Sequence, residues 1–356
     1  MSPLIFDAHL DMAWNAVEWN RDLMLPVAKI REFERQFPNI NIPGECTVSW
    51  HELKRGRVGV TISTLLPRLN RKDKLLTFPQ SREAAYAMAM GQLAYYKGMV
   101  RCGALRELSD AASLTAHVND WLTKPVESLP IGYILSMEGS PPILSPDQIP
   151  EWFAAGLRIL GPAHYGPSPY CFGTGSTGGF NESGKQLLRE MEKVGMLLDV
   201  THLADQSFWD ALDVYHGPML ASHHNCRSLV NADRQLADEQ IKALIERGAV
   251  IGAAFDNWMI RPGWVIGVSD PATVQMNHIV DHIDHICQLA GNAKHCGIGS
   301  DLDGGFGKEQ SPSDLDTIAD LQKMGDLLKA RGYSAADVEG ILWRNFVEFF
   351  QKALPQ

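Results

Sequence analysis

The sequence predicts an α/β fold, a (β/α)8 barrel with extra helices at its carboxyl end, and three observations carry that prediction. Short runs rich in Val, Ile and Leu recur at about 3–9, 57–65, 131–137, 157–161, 196–201, 218–222, 249–255 and 295–301. Helical periodicity occupies most of the gaps, at 81–99, 146–155, 182–194, 204–215, 238–247 and 273–289. Several runs lead into His, Glu or Asp, at the carboxyl end of a strand, where ligands bind in parallel α/β folds.

On the first strand side chains alternate between faces, so His9 and Asp11 point the same way, as a metal-ligand pair does. Residues 16–56, with Pro26, Pro38 and Pro43 among mixed charge, form a loop insertion, and a long loop beside a rim is expected to act as a lid. The third run ends in Glu138, a charge that is costly at a barrel mouth unless it is paired or binds a metal. The fourth run opens a loop rich in Gly, Pro and Ser, from 161 to 180, that carries His164, Tyr165, Tyr170 and Phe172.

The chain is organised around 196–234. Two apolar runs there lead into His202 and His223, and between them Phe208, Leu212 and Tyr215 recur at helical spacing, so the unit reads strand, helix, strand. Two parallel strands then carry a histidine at the same end. Arg234 follows on the next loop. The last run leads into Asp301 and Asp303, among glycines that let backbone or substrate come close. Helices at about 312–330 and 335–354 end the chain, the second opened by Ser334 and Asp337 as a capping box, and both are expected outside the barrel.

The 356 residues accommodate one large barrel or two medium domains, and with no internal repeat, low-complexity tract or linker we expect one catalytic domain over 1–356. Hydrophobic content of 45% and charged content of 21% are ordinary for a soluble protein. No apolar run approaches the roughly 20 residues of a membrane span. A formal charge of -10, from 32 basic and 42 acidic residues, disfavours nucleic acid and anionic membranes and leaves small molecules as the expected ligands. The amino terminus lacks the basic segment and apolar length of a leader, and six cysteines without a Cys-x-x-Cys pair suit reduced thiols in a cytoplasm. A homodimer is compatible with the sequence, which does not fix the oligomeric state.

His9, Asp11, Glu138, His202 and His223 are five nitrogen and oxygen ligands converging on one mouth, a number that suits two metal ions. One ion would take His9, Asp11 and Glu138, the other His202, His223 and the second oxygen of Glu138. Ligation without thiolate suits zinc best, with manganese, iron and cobalt as alternatives. Two ions about 3.5–4 Å apart would generate hydroxide from a shared water near neutral pH. Asp301 is the expected general acid and base, with Asp303 as its competitor or as a carboxylate that supports the loop. His164 could donate to a developing oxyanion, and Arg234 could grip a substrate carboxylate with both arms of its fork. His278, His282 and His285 resemble a His-x-x-x-His site but lack its glutamate and lie beside an ordinary apolar stripe, so a structural role is expected. His224, next to His223, should point elsewhere.

Together, Asp7-Ala8-His9-Leu10-Asp11, Met137-Glu138-Gly139, Ala163-His164, Asp199-Val200-Thr201-His202, Ser222-His223-His224-Asn225 with Arg234, and Gly299-Ser300-Asp301-Leu302-Asp303-Gly304 resemble the membrane dipeptidase (renal dipeptidase) family of the amidohydrolase superfamily. The resemblance spans nearly the whole chain in the right order. It implies a binuclear zinc barrel that hydrolyses dipeptides, often with a D-residue at the carboxyl end, and in some members β-lactams. His9, Asp11, Glu138, His202 and His223 match the zinc ligands, with Glu138 bridging; His164 matches the histidine on the substrate carbonyl, Arg234 the arginine on the terminal carboxylate, and Asp301 the catalytic aspartate. Two departures stand out: Gly139-Ser140-Pro141-Pro142 replaces a second glycine and a histidine after the glutamate, and 16–56 is unlike the mammalian members. The competing expectations are an amidohydrolase acting on another amide or a lactone, and a catalytically silent metal-binding barrel.

Overall fold

The computed structural model describes residues 2–37, 44–67 and 79–356. Its strands are β1 (Ile5–Leu10), β2 (Val58–Leu65), β3 (Leu105–Glu107), β4 (Ile131–Glu138), β5 (Ile159–Gly161), β6 (Leu197–Asp199), β7 (Met219–Leu220), β8 (Ile251–Ala253) and β9 (Cys296–Ile298). Every pairing between them is parallel, in the order β7-β6-β5-β4-β2-β1-β9-β8. A parallel bridge from Ala221 to Ile251 joins the two ends, so eight strands close a (β/α)8 barrel. In β2 and β4 all eight residues are buried, as strands covered by side chains on one face and by helices on the other must be.

The ninth strand was not expected. β3 pairs with Ile131–Tyr133 at the start of β4, whereas β5 pairs with Ser136–Glu138 at its end, so two short strands share one edge. Three residues, two of them charged, give no periodic signal. The helix Ala111–Thr123 was likewise missed: its buried positions Leu114, Val118 and Trp121 have helical spacing, but polar residues dilute the pattern. Asp110 starts it by accepting from the Ser113 amide at 2.7 Å.

The expected helix at 312–330 is helical only from Ile318, first as a 3-10 turn and then as Met324–Arg331. The final helix runs from Ala335 to Ala353 through a π-helical stretch, Gly340–Arg344. Its Phe346 and Phe350 stack on Phe6 of β1 with ring centroids 5.1 and 5.6 Å apart, on the outer face of the barrel. Residues 16–56 are not a plain loop; beyond Met12–Glu18 they hold the helices Val27–Glu34 and Trp50–Arg55, while Pro38 and Pro43 lie outside the described residues. Among the described residues no helix is long and apolar enough to cross a membrane, and all six cysteines are free thiols.

Candidate metal centre

The carboxyl ends of β1, β4, β6, β7 and β9 bring His9, Asp11, Glu138, His202, His223 and Asp301 to one mouth. His9 Nε2 stands 3.7 Å from Asp11 Oδ1, 3.6 Å from Glu138 Oε2 and 3.8 Å from Asp301 Oδ1. On the other side, Glu138 Oε1 lies 3.2 Å from His202 Nε2 and 3.4 Å from His223 Nε2, and those two nitrogens are 3.3 Å apart. The carboxylate of Glu138 thus turns one oxygen to each group. Two nitrogens on one tetrahedral zinc, each about 2.0–2.1 Å from it, stand roughly 3.3–3.4 Å apart, so the spacing fits a shared cation. His9 Nε2 and Glu138 Oε1 are buried without a hydrogen-bond partner, a costly arrangement in the absence of a ligand.

The imidazoles are aimed from behind. Ser222 Oγ lies 2.9 Å from His223 Nδ1 and 3.3 Å from His9 Nδ1, and Thr174 Oγ1 lies 3.0 Å from His202 Nδ1, which leaves each Nε2 facing the mouth. Thr64 holds Asp11 Oδ1 through its hydroxyl. Asp7, deeper in β1, accepts from the Ser300 amide at 2.8 Å and its hydroxyl at 2.5 Å and so ties β1 to the end of β9. Gly299 has no substitute here: a Cβ would come within 1.8 Å of the Ser222 carbonyl oxygen, in the residue that orients His223. His202 and Asp301 adopt left-handed backbone, φ 67° and 58°, which side chains other than glycine rarely take. These turns explain why β6 and β9 end earlier than the apolar runs suggested: the rim residues leave the ladder to face one another.

Burial opposes the charged form of Glu138, yet His164 and His9 beside it, with His202 and His223 in contact, hold its carboxyl well below the usual range. Burial likewise opposes a charged His9, but Glu138 and Asp11 hold its imidazole well above the ordinary value. His202 and His223 are pushed well down, first by burial and then by Arg234 and by the neighbouring His164 and His9 respectively. Asp301 is pushed well up, chiefly by burial, with Asp11 and Glu138 adding to it. A divalent cation would be the largest local charge and would reset these directions.

Beside the cluster lies a cavity whose walls include Glu138, His164, Tyr165, His202, Arg234 and Asp301. His164 Nε2 is 3.8 Å from Glu138 Oε1, and the Tyr165 ring packs 4.8 Å from His164 and 4.9 Å from His202. Arg234 is almost fully buried; Nη2 donates to the His223 carbonyl at 2.9 Å, while Nε and Nη1 have no partner. Asp256, Trp258 and Met259, which also line the cavity, were not anticipated, whereas Gly304 belongs to the glycine-flanked run after the last strand. The signal existed for Asp256, which ends the apolar run at 249–255 just as Glu138 ends its own.

Asp303 is held away from this chemistry. Its oxygens accept from Thr47 N and Oγ1 at 2.8 and 2.6 Å and from Val48 N at 3.0 Å, and Arg21 Nη1 lies 3.5 Å away. It therefore anchors the segment 16–56 to the loop after β9, and none of that segment's described residues lines the cavity. His278, His282 and His285 each find separate partners: Gln275, Cys226 and Asp238. His224 turns its amide to Gly252 O at 2.7 Å and joins none of the candidate ligand groups among the described residues.

Fold and cluster define a class, the metallohydrolase barrels with the site at the carboxyl end of the strands. Within that class the family is shown by sequence: the description "Membrane dipeptidase (Peptidase family M19)" matches residues 2–354, and the chain belongs to this family. It is accordingly a metallo-dipeptidase, and the family implies a divalent metal. A Klebsiella pneumoniae protein from the pqqA 5' region is 30% identical over 58% of this chain and 75% of its own length. An uncharacterised dipeptidase of Schizosaccharomyces pombe, C3A11.10c, is 24% identical over 92% of this chain and 78% of its own. In fold, the chain is similar to a crystallised metallopeptidase called dipeptidase AC, with a TM-score of 0.81, 20% identity and all of both chains covered. It is also similar to a Rhodobacter sphaeroides metallopeptidase liganded with a phosphinate mimic of L-Ala-D-Ala, with a TM-score of 0.80, 20% identity and 99% and 100% coverage.

Proposed function

We propose that His9, Asp11 and Glu138 hold one zinc ion, that His202, His223 and Glu138 hold a second, and that the site hydrolyses dipeptides of L-Xaa-L-Xaa and L-Xaa-D-Xaa type. The observation that carries this reading is the split carboxylate of Glu138, with Oε2 toward His9 and the orphaned Oε1 toward His202 and His223. These residues would hold the two ions, whose chemistry when bound would be to make water available as hydroxide near neutral pH.

The chain's own residues do the rest. The buried Nε and Nη1 of Arg234 receive the substrate's terminal carboxylate, which distinguishes a dipeptide from an internal peptide bond. His164, on the cavity wall, donates to the carbonyl oxygen as negative charge develops on it. Asp301, whose Oδ1 stands 3.8 Å from His9 Nε2 and which lines the cavity, takes the nucleophile's proton and delivers it to the leaving amine. The reading treats the whole chain as one catalytic domain, and six free thiols support a reducing compartment such as the cytoplasm. The solved relative with a bound dipeptide mimic supports the substrate class.

The test is metal content measured with hydrolysis of free and amidated dipeptides by native, chelated and zinc-restored protein. Two ions per chain are expected, with cleavage lost on chelation, restored by zinc and absent in Asp301→Asn. Equal cleavage of amidated dipeptides would replace this reading with an amidohydrolase of wider range, and cleavage that survives complete metal removal would overturn it.

A further inference from the structure

The cavity holds one more buried acid, which this chemistry does not use. Asp256 is 7% exposed and lines the same cavity as Arg234, whose field acts on its carboxyl, yet Arg234 keeps Nε and Nη1 unpartnered. Their backbones are locked together. Asn225 exchanges two bonds with Ala254, Nδ2 to O at 3.0 Å and N to Oδ1 at 3.1 Å, and Gln235 Nε2 donates to Met259 O at 2.6 Å. The loop carrying Arg234 and the segment carrying Asp256 are thus held at a fixed separation, and the two charges do not neutralise each other by direct contact.

Asp256 Oδ1 accepts from Gln310 Nε2 at 2.8 Å and from the Trp258 amide at 3.4 Å, at the start of the short helix Asn257–Ile260. Serine or asparagine would cap that helix as well, so capping does not explain a buried acid. Burial pushes the carboxyl up to about 7, against the bonds from Gln310 and Trp258 and the field of Arg234. A buried acid of this kind gains most from a cationic ligand.

We infer that Asp256 is a specificity-determining residue that selects dipeptides whose carboxyl-terminal residue bears a cationic side chain, such as lysine, ornithine or arginine. The inference rests on the proposed role of Arg234. With the terminal carboxylate on Arg234, the side chain of that same residue departs from the adjacent carbon, inside the cavity that Asp256 also lines. The amino-terminal residue lies across the scissile carbonyl, toward Asp301 and His9. Trp258 and Met259 flank Asp256 and give the methylenes of a long side chain an apolar wall.

The experiment compares kcat/KM for L-Ala-L-Lys with L-Ala-L-norleucine, which has a similar chain and no charge, and with L-Ala-L-Glu and L-Lys-L-Ala, on the zinc-loaded protein and on Asp256→Asn. Lysine should exceed norleucine by about tenfold or more, as a hydrogen bond to a buried charged group predicts. Glutamate should be the poorest, and L-Lys-L-Ala should gain nothing. Asp256→Asn should bring the ratio of lysine to norleucine near one. Should that variant not fold, the wild-type ratio measured again with L-Ala-Nε-acetyl-L-lysine decides, since acetylation should abolish the preference. Norleucine equal to lysine in the wild type, or an unchanged ratio in the variant, overturns this inference alone. No cleavage of any dipeptide overturns the dipeptidase reading with it.

Discussion

The mouth of the barrel and the helical layer around it both bury histidine, in opposite ways. In the outer layer each ring has protein partners: His117 Nε2 meets the Gly59 carbonyl at 2.9 Å, and His282 Nδ1 accepts from the Cys226 amide at 3.1 Å. At the mouth, His202 and His223 turn Nε2 toward each other, and His9 Nε2 has no hydrogen bond at all. Burial alone therefore does not mark a functional histidine. What marks it is a ring fixed through one nitrogen while the other faces further acceptors, an arrangement that is unfavourable until a cation occupies the space between them.

The largest effects should break that contrast at Glu138. Glu138→Gln keeps the volume and removes the charge that the proposed function shares between two ligand groups, so we expect kcat/KM to fall at least about 10³-fold, with metal content dropping below that of the wild type. Zinc added to metal-free wild type should raise Tm by several °C through binding linkage, and by much less in Glu138→Gln. A variant that keeps both ions and full activity would remove Glu138 from the centre.

Next come the two aspartates that follow β9, where the contrast reappears between carboxylates. Asp303 is saturated by Thr47 and Val48 and faces the buried Arg21. Asp303→Ala leaves the buried Thr47 and Val48 amides without their acceptor while Arg21 keeps Glu34 Oε1 at 2.6 Å, so it should cost about 1–3 kcal/mol in denaturant unfolding. Asp301→Ala should cost little stability and most of kcat. If the two variants behave alike, the division between anchor and proton carrier is wrong.

Arg234→Ala should be smaller again. Losing hydrogen bonds to a charged group costs roughly 1.5–3 kcal/mol, so KM for free dipeptides should rise about 10- to 100-fold while amidated dipeptides change little. An equal loss on both would assign Arg234 to holding the His223 loop through its carbonyl contact rather than to the substrate.

These contrasts also show which parts were legible in the sequence. Glu138, His202 and His223 were readable because apolar runs led into polar residues, and His9 and Asp11 because they sit two apart on a strand. Eight strand signals sufficed for the barrel. The three-residue β3 carries too little pattern to register, and Ala111–Thr123 mixes polar residues into its buried stripe. The left-handed backbone at His202 and Asp301 has no local signal, since neither is the glycine that usually takes that conformation. The same holds for Asp303, whose partners lie 255 and 256 positions earlier in the chain. Asp256 was legible by the rule that found Glu138, since it too follows directly on an apolar run.

The smallest effect should come from the satisfied histidines. Burial is the main cause that pushes both His117 and His282 down to about 4. Around His117 the Gly59 carbonyl and Asp120 oppose this and Arg106 adds to it; around His282 the Ile260 carbonyl and Asp281 oppose it and His285 and His278 add to it. Unfolded, each ring titrates near 6.5, so between about 6.5 and 4 the unfolded chain binds more protons than the folded one. The contribution of each neutral ring is therefore complete above pH 6.5 and is lost as pH falls toward 4, at up to about 1.4 kcal/mol per pH unit. Urea midpoints of metal-free protein at pH 7, 6 and 5 measure it, with the metal removed so that acid release of ions does not enter. His282→Gln, which cannot take up a proton, should flatten the decline while lowering stability at pH 7, because glutamine replaces the ring's packing poorly. A slope as steep in His282→Gln as in the wild type would mean that this ring is already charged in the folded protein, and the contrast with the mouth would then rest on His117 alone.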